Sequence, residues 1–138
     1  MNRWIIKSDP DDYSAHDLER DGQTVWDGVS NAAALGHLRR MTAGDVVLVY
    51  HTGEERALVA LAGVKATSMA ADGKTPRVTL AFKKWLPAPV QLAAIKADSR
   101  QAELGLVRIG RLSVMPATAA QWAGLLALSK TARHDLAR

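Results

Sequence analysis

The hydrophobic pattern of the chain opens on a short saturated run. Residues 3–7, Arg-Trp-Ile-Ile-Lys, are aromatic and β-branched at their centre. They end at Ser8-Asp9-Pro10, a turn signal, and so predict a buried strand. Ser14 followed three residues later by Asp17 has the form of a capping box. It predicts a short helix through Leu18, stopped near Gly22. The stretch around Trp26 reads as a loop leading into a second helix, about Asn31 to Met41, with Ser30 or Asn31 as N-cap. Leu35, Leu38 and Met41 put one apolar stripe on that helix, while Gly36 costs it about 1 kcal/mol relative to Ala.

The period then changes. Residues 46–51, Val-Val-Leu-Val-Tyr-His, are a continuous apolar run of strand length. Thr52-Gly-Glu-Glu55 predicts a hairpin connection into a strand over 57–67, in which Gly63 marks a bulge or a close backbone approach. Asp72-Gly73 predicts another turn, and residues 77–85 alternate well enough for a third long strand, ended by Pro87-Ala-Pro89. One or two helical turns are expected over 90–97. A shorter apolar stretch at 104–110 leads to a final strand over 111–116, halted by Pro116. Thr118 and Gln121 form a second capping box, followed by Trp122, Leu125, Leu126 and Ser129 on one face of a closing helix. The predicted order β-α-α-β-β-β-α-β-α suits an α+β fold, a largely antiparallel sheet curled into a pseudo-barrel with short helices at its ends. Residues 1–130 are expected to form a single domain, with 131–138 a tail or a helix extension.

Composition narrows the classes. The 138 residues are 48% hydrophobic and 23% charged, the balance of a globular chain rather than a disordered one. The absence of cysteine excludes disulfides, thiolate metal sites and cysteine nucleophiles. The opening residues lack the apolar core of a signal peptide, and no apolar run reaches the ~18 residues of a membrane span. A cytoplasmic monomer is therefore the expectation. Lys and Arg exceed Asp and Glu by 18 to 14, a net charge of +4, and the isoelectric point is about 9.7. That balance is compatible with a polyanionic partner without requiring one. The four histidines, His16, His37, His51 and His134, have no metal-like spacing, so no metal is expected.

Four motifs, in order, resemble those of the EVE domain family. Residues 4–10, Trp-Ile-Ile-Lys-Ser-Asp-Pro, are similar to the family's Trp-Leu-x-Lys-Ser-Glu-Pro opening. Residues 13–31 are similar to its Ser-x-x-Asp-Leu…Trp-Asp-Gly-Val-Arg-Asn run. Residues 38–51 match its Leu-Arg-x-Met-x-x-Gly-Asp…Tyr-His segment, and residues 111–118 its Arg-Leu-Ser-Val-x-Pro-Val-Thr. The resemblance spans about Trp4 to Leu126. It implies a PUA-like pseudo-barrel whose pocket accepts a base flipped out of nucleic acid, modified cytosine in DNA above all, with no cofactor and no established catalysis. This chain departs from the family at Ser30, where Arg is usual, and at Ala32 to Gly36, where Tyr-Gln-Ala-Arg-Asn is common. Asp9 stands where Glu is usual, and the segment between Thr67 and Arg77 is short. Ser30 and Leu35 thereby remove two cations from the expected phosphate-facing region.

Trp26 is the leading candidate for the pocket. As a core indole it would be unremarkable in sequence terms, but Asp27-Gly28 forms a tight-turn signal, and the turn delivers a helix start with free N–H groups. An indole beside exposed backbone donors suits a planar, hydrogen-bonding base. Val29 completes that wall. Asn31 is either an N-cap or, through its amide donor and acceptor, a reader of a base edge. Ser8 and Lys7 are either turn chemistry or contacts to base and phosphate. His51 is a pocket wall by resemblance only. Arg111 and Ser113, two apart in an expected strand, share a face and could meet the ligand. Arg39, Arg40, Lys83 and Lys84 are candidate nucleic-acid rim residues, or simply a solvated face.

The expected function is a non-enzymatic module recognising a flipped, modified base, such as 5-methylcytosine or 5-hydroxymethylcytosine in DNA. The alternatives are a PUA-like RNA-binding module and an enzyme acting on small nucleotides with Asp27 and His51 as acid and base. Against the enzyme stands the absence of paired-carboxylate, Ser-His-Asp, phosphate-loop or metal signatures.

Overall fold

The computed structural model describes residues 1–26 and 29–136, with side chains as far as Lys130. Six strands and five helices follow in the order β1 (Arg3–Ser8), α1 (Ala15–Asp21), β2 (Gln23–Trp26), α2 (Ala32–Arg40), β3 (Val46–His51), β4 (Ala57–Met69), β5 (Pro76–Gln91), α3 (Leu92–Ala97), a 3-10 turn (Ser99–Gln101), α4 (Gly105–Arg108), β6 (Val114–Ala117) and α5 (Ala119–Leu136). The strands form one sheet in the order β2-β5-β4-β3-β1-β6. Only β1 and β3 run parallel; every other pair is antiparallel.

The core is built on the saturated runs. Ile5, Ile6, Leu48, Leu58, Leu80 and Met115 are completely buried. Leu18 and Leu38 reach them from α1 and α2, and Trp122 and Leu125 from α5. On α2 the buried pair is Ala34 and Leu38, with Met41 just beyond the helix, while Leu35 is only partly covered. The two capping boxes form. Ser14 accepts from Asp17 N while Asp17 accepts from Ser14 N, and Thr118 and Gln121 do the same. Asn31, not Ser30, caps α2.

Four expectations are corrected. The segment ending in Trp26 is a strand, not a loop: Gln23 to Trp26 pair with Ala81 to Val78 at one edge of the sheet. Strand β5 continues through Pro87 and Pro89 to Gln91. The ladder with β4 shifts register between Leu58 and Ala60, which leaves residues 86–89 outside regular pairing, so the missing proline N–H groups cost no ladder bond. The 104–110 stretch, left without an assigned element by its pattern, contains the short helix α4. The last strand starts at Val114, three residues later than expected, and takes in Pro116, which edge strand β6 tolerates. Gly63 pairs regularly with Val46 and Ala81, the register shifts lying on either side of it; the close approach there is made by the Lys83 side chain.

The sheet is an open pseudo-barrel. Strands β2 and β1 stand at the first and fifth places in its order, yet residues of both line one cavity. The sheet therefore curls until its two sides face each other across a gap that no hydrogen-bond ladder closes. That gap holds the candidate site.

Candidate functional site

The gap is a cavity of about 490 Å³. One wall is β2, with Thr24 and Trp26, continued by Val29, Ser30 and Asn31 before α2. The opposite wall is the end of β1, Lys7 and Ser8, with Ser113 from the turn before β6. Tyr13, Asp9 and Asp12 close one side. Lys7 N donates to Ser113 O at 2.8 Å, which fixes the second wall. Trp26 is partly buried and meets Tyr13 edge to face, ring centroids 6.4 Å apart. Tyr13 is itself held at both ends: its carbonyl accepts from the Ser8 hydroxyl, and its own hydroxyl donates to Asp21 at 2.8 Å. Burial, aided by the Asp21 carboxylate, raises the Tyr13 phenol above its usual pKa, so it stays neutral and a donor.

The hydrogen-bonding capacity of the walls is partly committed. Asn31 Oδ1 accepts from Ala34 N at 3.0 Å, which commits one of its two lone pairs and leaves the NH₂ donors to a ligand. The Ser8 hydroxyl hydrogen goes to Tyr13, leaving Ser8 an acceptor. Asp9 accepts from Asp11 N at 2.9 Å in a local turn. Lys7 Nζ donates to Gly110 O at 2.8 Å and lies 5.9 Å from the Tyr50 ring centroid. Burial lowers the pKa of that ammonium from its ordinary lysine value.

Of the residues singled out from the sequence, Lys7, Ser8, Trp26, Val29, Asn31 and Ser113 meet at this cavity. Asp27 and Gly28, and with them the tight turn, lie outside the described residues. His51 lies elsewhere: its Nε2 accepts from Ala15 N at 2.9 Å and its Nδ1 faces Glu55 at 2.5 Å, so the imidazole anchors α1. Arg111 is not among the lining residues and, with Ser113, precedes β6, so the two do not share a strand face. Lys83 and Lys84 are neighbours on β5, both exposed, at the register shift opposite Leu61 and Ala62, and neither lines the cavity. Arg39 bonds Lys74 O at 3.3 Å beside the β4–β5 hairpin, and Arg40 is exposed at the end of α2.

Sequence reasoning missed Tyr13, Thr24, Asp9 and Asp12 as lining residues. The strand alternation of Gln-Thr-Val-Trp puts Thr24 on the same face as Trp26, a signal that four residues are too few to announce. Tyr13 stands immediately before the capping box, where its aromatic ring was the available cue. Trp85 on β5 is packed between His16 and Phe82, with ring centroids at 4.4 and 5.3 Å, and donates to Glu19 at 2.9 Å. Trp4 is a core residue whose indole N–H is spent on Asp45. Among the described residues no group of three or more His, Asp or Glu is placed to hold a metal ion.

A mixed, open six-stranded sheet curled around a polar and aromatic cavity, with short helices about it, is the architecture of the PUA-like modules. The chain belongs to the EVE domain family, whose sequence model matches residues 2–128. The NMR structure of Rpa0253 from Rhodopseudomonas palustris is 32% identical, with 95% of this chain and 94% of that one covered and a TM-score of 0.90. A hypothetical protein from Leishmania major is 26% identical, with 96% and 97% covered and a TM-score of 0.89. Human THYN1, solved in complex with DNA containing 5-methylcytosine, is 23% identical, with 94% and 98% covered and a TM-score of 0.86; at that identity it shows the shared fold. Comparison of the sequence with curated proteins returns no match. No helix among the described residues is long and apolar enough to cross a membrane.

Proposed function

We propose that this protein binds nucleic acid and receives a single flipped base, a modified cytosine in DNA, in the cavity between β2 and β1. The observation that carries the reading is the pairing of an aromatic wall with a hydrogen-bonding wall across one gap: Trp26 with Tyr13 behind it on one side, and Ser8, Lys7 and Ser113 on the other. A base entering the gap stacks on Trp26 and presents its edge to the Asn31 amide hydrogens and to the acceptors. Stacking of this kind contributes ~1–3 kcal/mol, against a flipping cost of a few kcal/mol. Asp9 and Asp12 favour a base with an exocyclic amine, since a carboxylate accepts from cytosine N4. The family membership and the DNA complex of human THYN1 support the same class of ligand.

The non-enzymatic reading is supported by His51. Both of its ring nitrogens are engaged in holding α1 and Glu55, which leaves none to take a proton from a substrate.

The test is a titration of intrinsic tryptophan fluorescence with matched oligonucleotides carrying cytosine, 5-methylcytosine or 5-hydroxymethylcytosine, as DNA and as RNA, at two salt concentrations. Preference for one modified DNA is the expected result. Equal affinity for every DNA variant would sink modification reading, tighter binding of RNA would move the partner, and turnover of a modified nucleoside would make the protein an enzyme.

A further inference from the structure

Lys7 borders two cavities. Besides the base cavity, a smaller one of about 220 Å³ is walled by Tyr50 and Thr52 of β3 and the turn after it, Arg56 before β4, Lys96 of α3 and Gly110. The Lys7 ammonium belongs to this second cavity, for it bonds Gly110 O and sits beside the Tyr50 ring. Three cations and two hydroxyls thus line it without a carboxylate. Glu54 and Glu55 line a neighbouring hollow that Arg56 and Lys96 also border. The base cavity has the opposite balance, with Asp9 and Asp12 against Lys7 alone.

The backbone that carries two of these cations is held in place by the fold. Arg56 is the one non-glycine residue at positive φ among those described, at 44°. That backbone conformation is strained for an L-residue and persists where its surroundings impose it. Here Leu92 N, at the start of α3, donates to Arg56 O at 2.8 Å, tying the β3–β4 turn to the helix that carries Lys96. The Arg56 charge reaches the Tyr50 phenol: burial raises that phenol's pKa, and Arg56 opposes the rise. Three like charges around one small hollow repel each other, and an anion between them removes the repulsion and gains charge-assisted hydrogen bonds.

We propose that this cavity is the phosphate anchor for the nucleotide whose base enters the neighbouring one, with Lys7, Arg56 and Lys96 holding a phosphate oxyanion and Lys7 marking the passage between base and phosphate. The inference rests on the base-binding reading for its ligand, but the cavity's affinity for phosphate is measurable alone. The phosphate is either a diester of a nucleic-acid backbone or the monoester of a free nucleotide.

The experiment titrates the full chain with inorganic phosphate, 5-methyldeoxycytidine and its monophosphates, following the amide resonances of Thr52, Gly53 and Lys96. Phosphate is expected to shift these resonances, and a monophosphate to bind about tenfold more tightly than the nucleoside. Lys96→Gln and Arg56→Gln should each lose most of that gain with nucleoside affinity unchanged, since neither residue lines the base cavity. An oligonucleotide with neutral methylphosphonates flanking the modified cytosine should lose a similar factor if the anchor serves a backbone diester, and lose nothing if it serves free nucleotides. Phosphate that leaves the three amides in place, or that shifts them equally in Lys96→Gln, overturns the anchor. Phosphate binding that depends on Lys96, in a protein that ignores the nucleoside, upholds the anchor and removes the base reading instead.

Discussion

Trp26 and Tyr13 meet edge to face with their ring planes at 75°, so the tyrosine edge steadies the indole that forms one wall of the gap. Trp26→Ala should weaken oligonucleotide binding by ~1–3 kcal/mol, roughly 5- to 150-fold, and Trp26→Phe by much less. Anisotropy with a labelled oligonucleotide measures both, and unchanged affinity in Trp26→Ala would remove stacking from the mechanism.

Asn31 serves the helix and the cavity with different atoms. Its Oδ1 caps α2, and its NH₂ is not used in that cap. Asn31→Ser keeps a capping oxygen and should leave the unfolding midpoint nearly unchanged, yet it removes the amide donor and should weaken binding about tenfold. Asn31→Ala should also cost about 1 kcal/mol of stability. A serine variant that binds like the parent would confine Asn31 to capping.

Asp45 carries a structural load hidden from the surface. Its carboxylate accepts from Asn2 N at 2.9 Å, Trp4 Nε1 at 2.9 Å, Thr42 N at 3.0 Å and Thr42 Oγ1 at 3.2 Å, in a residue 2% exposed. Burial alone would raise its pKa, but these donors outweigh it and the pKa is lowered from the usual aspartate value. The contribution to stability is therefore fully present above the unfolded pKa of about 3.9 and is lost as pH falls through the lower folded value. Asp45→Asn should cost roughly 2–3 kcal/mol near neutral pH by urea denaturation, with the gap to the parent narrowing below about pH 4. A gap independent of pH would contradict the assignment.

His51 is a joint between β3 and α1. Removing the imidazole orphans the Ala15 N–H and leaves a void at a site 3% exposed. His51→Ala should destabilise by about 2–4 kcal/mol. At concentrations where the variant remains folded, nucleoside affinity should match the parent, because His51 does not line the base cavity. A selective loss of binding without loss of stability would return His51 to the site.

The long elements were legible because their patterns are redundant. Five consecutive apolar positions in β3, and two complete capping boxes, each leave one good local solution. The base cavity was half legible: Lys7, Ser8, Trp26, Val29, Asn31 and Ser113 all reach it, though Trp26 does so from a strand. Strand β2 escaped notice because four residues alternating exposed and half-buried resemble any polar connection until β5 pairs with them. The prolines of β5 mislead for the complementary reason, since a register shift excuses them from pairing and no local signal announces it. His51 and Asp45 were invisible as anchors because their partners, Ala15 and Trp4, lie 36 and 41 residues away.

The open seam has a thermodynamic consequence. Strand β2 is paired on one side only, over four residues, whereas β1 is paired on both sides along most of its length. Amide hydrogens of β2 should therefore exchange with solvent by local opening, while those of β1 wait for global unfolding. A ligand in the gap touches both, and so spans the fastest-opening and slowest-opening parts of the sheet. Its binding energy should appear first as slowed exchange in β2, converting a frayed margin into part of the cooperative unit.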